Sequence, residues 1–561
     1  MRGVSLGSLV VWAVLMAYMA AFLIYPIAYV FYKAFIIDGT PTLAYFQIMF
    51  QDPVLRECIV NSFKIATITT VLTVALGYAI AFVMVRCEFP LRGFFGAALL
   101  IPFIVPPFVG ALGMLRLFAR LGAVNILLMD LGLIDRPIDW FGNRMAGIIF
   151  MEVLHLYPIA YLNIAAALAN IDPTLEESAE TLGVRGLRKL VTVTIPLSMP
   201  GVAAASAIVF IWSFTDLGTP LMFNFYKVIP VQIFTMSQQI YTNPMGYALT
   251  VFVLILISVV FVGIKKYTGM RSYEMMGRGH VTGRVARLGR ATSAAVIIFL
   301  GAVVLLAALP HISIILLSVS DEWFMSVLPT RYTFEHFLNV FENDLTSKSV
   351  RNSLVYSLAA TALATAIGIS SAYVANRGAL PSFMRDLLDT LTMWPLAVPG
   401  VAIAFGYLSS FADVPLLSPY VNPAPLLIIS YATRRLPYMV RAIYAGLQQV
   451  HRSLEEAALS LGSRPLRVVR QITLPLILAN AFAGGVLVFS ECMIEVSDSL
   501  ILALRQEYYP MTKAIFELSA HLVAGTELAS AMGVVLMVVV AVSMVVTNRV
   551  MGQRMGELFK A

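Results

Sequence analysis

Residues 61–86 read NSFKIATITTVLTVALGYAIAFVMVR, and residues 352–377 read NSLVYSLAATALATAIGISSAYVANR. The second stretch repeats the first at Asn61/Asn352, Ser62/Ser353, Gly77/Gly368, Ala81/Ala372 and Arg86/Arg377. Each is long and apolar enough to cross a bilayer core of about 30 Å, which takes roughly 20 helical residues. Upstream, Thr42, Phe46 and Phe50 precede the first copy as Thr333, Phe337 and Phe341 precede the second. Downstream, Pro102 and Pro106 match Pro395 and Pro399, Pro158 matches Pro437, and Leu175-Glu176-Glu177 matches Leu454-Glu455-Glu456. A repeat of this length decides the architecture before any single element does. The chain is written twice, as a domain over 1–264 and a second over 292–561, joined by a basic, Gly- and Arg-containing connector over 265–291 that reads as solvated. The offset between matched residues falls from 293 at Pro102/Pro395 to 279 at Pro158/Pro437, so the first copy holds about 14 extra residues around Arg120–Arg144.

Composition agrees. Of 561 residues, 59% are hydrophobic and 12% charged, against roughly 45–50% and about 25% in soluble domains. That excess of apolar surface excludes a soluble enzyme, a disordered scaffold and a nucleic-acid binder. The expected fold is an all-α polytopic membrane protein of about twelve spans, six in each half. The runs lie near 6–34, 59–85, 94–119, 145–169, 199–223 and 246–264, then 292–319, 352–375, 386–411, 424–448, 479–503 and 528–547. Several carry proline, which helix bundles in lipid tolerate. The first run is longer than a signal-peptide core, has no clear A-x-A site after it, and reads as an uncleaved span. Six spans return each half to the same side, so the halves should be related by an axis along the membrane normal.

Lys265, Lys266, Arg271, Arg278, Arg284, Arg287 and Arg290 follow the sixth span, opposed only by Glu274. The next loop is acidic, with Asp321, Glu322, Glu335, Glu342 and Asp344. The positive-inside rule makes the first cytoplasmic and the second external, with both termini cytoplasmic. The net charge of +7 therefore belongs to loops facing anionic lipid, not to a nucleic-acid surface. Cys58, Cys87 and Cys492 are widely spaced, and the six histidines are scattered without HExxH or any Cys/His cluster. No disulfide, metal or catalytic site is read from them.

One motif stands out in each half, in the cytoplasmic stretch before the fifth span. Glu177-Ser178-Ala179 is followed by three residues, Gly183, nine residues and Val193-Thr194-Ile195-Pro196. Glu456-Ala457-Ala458 is followed by three residues, Gly462, nine residues and Ile472-Thr473-Leu474-Pro475. Each predicts a short helix, a turn at a glycine that accepts positive φ, and a second amphipathic segment stopped by proline before it re-enters the membrane. Small Ala179 and Ala458 permit close approach. Acidic residues fall in the first turns and basic ones follow, as the helix dipole favours.

This arrangement resembles the EAA loop of ABC-importer permeases, here over 171–197 and 450–476. The first copy departs from the pattern by carrying Ser178 for the middle alanine. Across nearly its whole length the chain is similar to the fused, two-permease membrane subunit of binding-protein-dependent importers, a family that includes ferric-iron, thiamine and aminoalkylphosphonate systems. The stretches Arg434–Arg441 and Glu495–Leu500 look most like ferric-iron permeases. The resemblance implies that Glu177, Ala179, Gly183, Pro196, Glu456, Ala458, Gly462 and Pro475 form coupling loops that dock on two ATP-binding cassette subunits. The chain has no G-x-x-x-x-G-K-[ST], so ATP and Mg would be bound by those partners and no cofactor by this chain. An extracytoplasmic solute-binding protein would deliver the solute, and the 120–144 insertion would make its docking surface asymmetric. The place implied is a bacterial or archaeal plasma (inner) membrane. A thiamine, phosphonate or polyamine-type permease is the alternative substrate class.

Ionisable residues near mid-span cost roughly 2.5–3.5 kcal/mol each and so face a cavity or a partner. They are His155, Asp216, Arg434, Arg435, Glu491, Glu495 and Asp498. Asp216 and Glu495 occupy matched positions in the fifth span of each half, which in this family lines the path. Asp216, Glu495 and Asp498 are therefore translocation-path candidates for a positively charged or metal-bearing solute. The competing expectation is that these acids pair with Arg434, Arg435 or Arg441 and hold helices together. The many Met and Phe residues are read as packing or lipid-facing. A twelve-span secondary transporter would need coupling-ion sites instead of the duplicated loops, and an intramembrane enzyme would need a catalytic constellation.

Overall fold

The computed structural model describes residues 6–37, 39–104, 106–270, 286–378, 380–520 and 525–551. Helices dominate; the strands among the described residues are three two-residue or three-residue pairings. Nine helices are long and apolar enough to cross a membrane on their own, and two further bent pairs raise this to eleven among the described residues. The remaining expected span, Ala424–Gln449, is a 26-residue helix that carries Arg434, Arg435 and Arg441. All twelve runs are thus helical, but three are not plain apolar rods.

The third and ninth spans are broken. Arg92–Phe103 meets Pro107–Leu117 at 94°, and Ser382–Leu396 meets Gly400–Ser410 at 103°. The matched prolines explain this. Pro106 and Pro399 have no amide to donate four residues back, so the carbonyls of Pro102 and Pro395 lose their helical partners. The fifth and eleventh spans also differ from expectation. They begin earlier and end earlier, running from Gly186 to Thr215 and from Pro465 to Met493. The apolar residues beyond those ends fold instead into short helices, Gly218–Met222 and Ser497–Leu502.

Two compact units divide the chain, and they do not coincide with the two repeats. Unit one comprises the described residues within Met1–Asp52, Gln232–Leu254 and Phe337–Leu558; unit two comprises Pro53–Val231 and Ile255–His336. Each unit therefore contains the first span of the other repeat. In unit one, Trp12 Nε1 donates to the Met384 carbonyl at 2.9 Å, Tyr18 and Thr433 hydroxyls bond at 2.7 Å, and the Tyr407 hydroxyl donates to the Phe22 carbonyl. In unit two, Ser313 Oγ donates to the Gly113 carbonyl at 2.7 Å, where a Cβ on Gly113 would lie 2.7 Å from Ser313 Cβ.

The matched glycines of the opening stretch are contact points. A Cβ on Gly77 would sit 2.7 Å from Ala160 Cβ, and one on Gly368 would sit 2.5 Å from Met439 Cγ. Both pairings bring the second span of a half against its fourth. In the connector, residues up to Met270 continue the sixth span, Ala286–Arg287 pairs in parallel with Cys87–Glu88, and 271–285 lie outside the described residues. The insertion folds as a short helix followed by irregular chain. Buried Asn125, on the helix Ala123–Asp130, donates to the Ile138 carbonyl at 2.7 Å and accepts from the Trp140 indole at 3.0 Å.

Candidate functional site

The two surface loops are built alike, each inside its own unit. In the first, the helix Pro173–Thr181 ends on a Schellman cap: Val184 N donates to the Ala179 carbonyl at 2.9 Å, and Gly183 N to the Glu180 carbonyl at 3.0 Å. In the second, the helix Arg452–Ser460 ends with Ser463 N on the Ala458 carbonyl and Gly462 N on the Leu459 carbonyl, both at 3.0 Å. Gly183 and Gly462 each hold φ at +84°, the left-handed value this cap requires. The third residue of each motif thus supplies the carbonyl that closes the turn, and the glycine supplies the conformation.

The prolines act differently from expectation. Neither Pro196 nor Pro475 stops the helix. A π turn at Leu190–Thr194 runs straight into the helix Ile195–Thr215, and one at Val469–Thr473 runs into Leu474–Met493. Widening the helix by one residue just before the proline accommodates its missing amide and its ring.

Glu177 and Glu456 are exposed on the loop surface. The glutamates that precede them turn inward. Glu176 forms an ion pair with Arg86 at 3.1 Å and accepts from Thr194 Oγ1 at 2.8 Å. Glu455 forms an ion pair with Arg377 at 3.4 Å and accepts from Thr473 Oγ1 at 2.7 Å. The two triads make the same kinds of contact, and all three members sit at matched positions of the repeat. Sequence reasoning passed over Glu176 and Glu455 as site residues. The signal that would have found them was the coincidence of matched Glu, Arg and Thr in both copies.

Apolar residues flank each glycine and face outward. Leu182 is 83% exposed and Leu187 80%; their counterparts Leu461 and Leu466 are 87% and 80% exposed. Each loop thus presents a pair of exposed leucines beside an exposed glutamate, at the same spacing in both copies. The loops differ at their starts. Asp172 caps the first helix, accepting from Thr174 N at 2.9 Å, and these contacts hold its carboxyl below the usual range, the Thr174 amide first and its hydroxyl second. His451 makes no side-chain capping bond on the second.

The mid-span charges fall into two separate clusters, one per unit. In unit one, Arg434 pairs with Glu495 and, at 3.2 Å, with Asp498, while Arg435 pairs with Glu495 and lies 3.8 Å from Glu491. Asp498 also accepts from Ser430 Oγ at 2.8 Å. In unit two, Asp216 accepts from the amides of Gly218 at 3.1 Å and Thr219 at 3.3 Å, capping the short helix that follows the fifth span. Glu152, fully buried, accepts from Thr69 Oγ1 at 3.0 Å and from Ser213 Oγ. His155 Nδ1 lies 3.1 Å from the Pro102 carbonyl, the one orphaned by Pro106. His155 and Arg434 are matched positions, as are Asp216 and Glu495, so the repeat keeps the places and changes the chemistry.

Broken spans, a twofold internal repeat and a matched pair of exposed loops define a duplicated membrane permease. A family described as "Binding-protein-dependent transport system inner membrane component" matches residues 73–269 and 364–557, and the chain belongs to that family. It is 28% identical over 491 residues to the ferric transport system permease protein FbpB of Actinobacillus pleuropneumoniae, covering 86% of this chain and 69% of that one. It is 28% identical over 492 residues to the putative ferric transport system permease protein FbpB 1 of Haemophilus influenzae, covering 86% and 76%. Among solved structures, a bacterial ABC transporter involved in the import of alginate aligns with 46% of this chain and 93% of its own at a TM-score of 0.40 and 16% identity.

Proposed function

We propose that this chain is the whole membrane pathway of an ATP-driven importer for ferric iron, working with two ATP-binding cassette subunits and an extracytoplasmic binding protein. The observation that carries the reading is the doubled loop: an exposed glutamate, a Schellman turn and two exposed leucines, repeated at one spacing. Each loop offers one cassette subunit the same grip. ATP and Mg are held by those subunits; when the pair closes on ATP, the loops move as rigid bodies and the permease halves alternate their access. Both loops and both termini then lie on the cytoplasmic side of the plasma membrane, and solute enters from the opposite side.

The ferric-iron assignment is supported by the ferric transport permeases that align with most of the chain. The acids fit a cationic cargo in different ways. Glu495 and Asp498 are engaged by Arg434 and Arg435, so they act on the path by holding the tenth span to the break after the eleventh. Asp216 accepts from two backbone amides in its cap rather than from an arginine, and it is the acid we place nearest a cation's route.

Uptake by vesicles containing the chain, its cassette subunits and its binding protein tests this. Accumulation of radiolabelled ferric iron that requires ATP and the binding protein is expected. Iron-independent uptake of thiamine, a phosphonate or a polyamine would replace the substrate assignment. Uptake driven by an ion gradient without cassette subunits would overturn the proposal.

A further inference from the structure

We infer that Arg86–Glu176–Thr194 and Arg377–Glu455–Thr473 are the joints through which each coupling loop moves the membrane helices. The inference rests on the loops being docking sites for cassette subunits, and it assigns positioning residues behind them. Each triad ties three elements at one point. Arg86 and Arg377 are the last residues of the second-span helices Pro53–Arg86 and Asp344–Arg377. Glu176 and Glu455 lie in the first turns of the two loop helices. Thr194 and Thr473 are buried, at the ends of the π turns that lead into the fifth-span helices.

The geometry suits force transmission. A loop helix joined to the membrane only by its chain ends can rock on its Gly183 or Gly462 turn without moving a span. The glutamate removes that freedom, because one carboxylate binds the guanidinium of one span and the hydroxyl of another. All four charged groups are nearly buried, so water competes little for the ion pairs. The π turn matters here: it sets the rotation of Thr194 and Thr473 about the helix axis and brings each hydroxyl to within 2.8 Å or 2.7 Å of its glutamate. The second joint is reinforced. Arg377 also donates to the Leu447 carbonyl at 3.0 Å, and Arg452 to the Asn376 carbonyl. Nothing in the EAA spacing itself demands these contacts, since the motif's own glutamate faces out.

The test measures solute moved per ATP hydrolysed in vesicles holding the full complex, for Glu176→Gln with Glu455→Gln and for the exchanges Arg86→Glu with Glu176→Arg and Arg377→Glu with Glu455→Arg. Co-purification of cassette subunits and the melting temperature are measured on the same samples. The expected result is retained assembly with at least a tenfold fall in solute per ATP in the glutamine variant, recovered at least in part by the exchanges. An unchanged ratio overturns the inference, as does a loss of assembly or melting temperature that accounts for all lost transport. If the unmodified chain neither binds cassette subunits nor supports ATP hydrolysis, the docking reading falls first, and that arm shows it independently of the variants.

Discussion

Gly183 and Gly462 show how much one backbone angle can carry. At φ +84° a Cβ would meet nothing within 4 Å at either position, so alanine costs only the left-handed conformation, about 1–2 kcal/mol. Gly183→Ala and Gly462→Ala should therefore leave the chain folded and raise hydrogen exchange at the Val184 and Ser463 amides by roughly five- to thirtyfold; unchanged exchange would contradict the cap. Asp172 gives a pH signature. Its carboxyl is held below the ordinary range, so its capping is complete at neutral pH, begins to weaken as pH falls below the ordinary aspartate value and is lost as pH passes the lowered one. Exchange at the Thr174 amide should rise over that window, while Ser453, which follows uncapped His451 and Arg452, should show no matching change. Glu495 is the hub of the charged cluster in unit one. Removing it leaves two buried guanidiniums short of partners, a loss of about 3–5 kcal/mol, whereas Glu491 sits 3.8 Å from Arg435 and shares that charge with Glu495. Glu495→Ala should lower the amount of folded chain in membranes far more than Glu491→Ala, measured by detergent melting.

At the scale of elements, prolines and glycines set the shapes of the spans. Three helices widen into a π turn immediately before an X-Pro pair: Ala20–Ile24 before Tyr25-Pro26, Leu190–Thr194 before Ile195-Pro196, and Val469–Thr473 before Leu474-Pro475. Proline is here a device that sets helix phase, which is why it failed as a stop signal. Close approach is set by Gly77 and Gly368. Gly77→Ala and Gly368→Ala push a methyl into Ala160 or Met439 and should destabilise by about 1–3 kcal/mol. Gly301→Ala, where a Cβ meets nothing within 4 Å, should be neutral or slightly stabilising, and melting of the three variants checks the contrast. The breaks in the third and ninth spans were marked by Pro106 and Pro399, yet apolar runs 94–119 and 386–411 read as single spans because hydropathy does not register direction. The same blindness extended the fifth spans past Thr215 and Met493. Leu217–Phe223 carries Leu, Met and Phe enough to read as apolar, but Asp216 turns extended and Pro220 cannot donate back to it, so the helix ends at Thr215.

For the whole molecule, the sequence disclosed what repetition makes visible. Two matched copies revealed the halves, the loops and the glycine turns. It did not reveal that Glu176 rather than Glu177 is the anchored residue, because adjacent glutamates are equivalent until Arg86 and Thr194 are brought together in space. Nor did it reveal that each compact unit takes in the other repeat's first span, since contacts such as Trp12 to Met384 have no local signature. The proposed function requires that two matched loops on the cytoplasmic face be gripped by ATP-hydrolysing partners. Cys58, Cys87 and Cys492 are all buried, so Leu182→Cys and Leu461→Cys would place a reactive thiol on each loop above a low background. Labelling with a membrane-impermeant maleimide is the most direct measurement. Both thiols should react in inside-out vesicles stripped of cassette subunits but not in right-side-out vesicles, and adding those subunits back should protect them. Reaction from the external face, or labelling that cassette subunits leave unchanged, would contradict it.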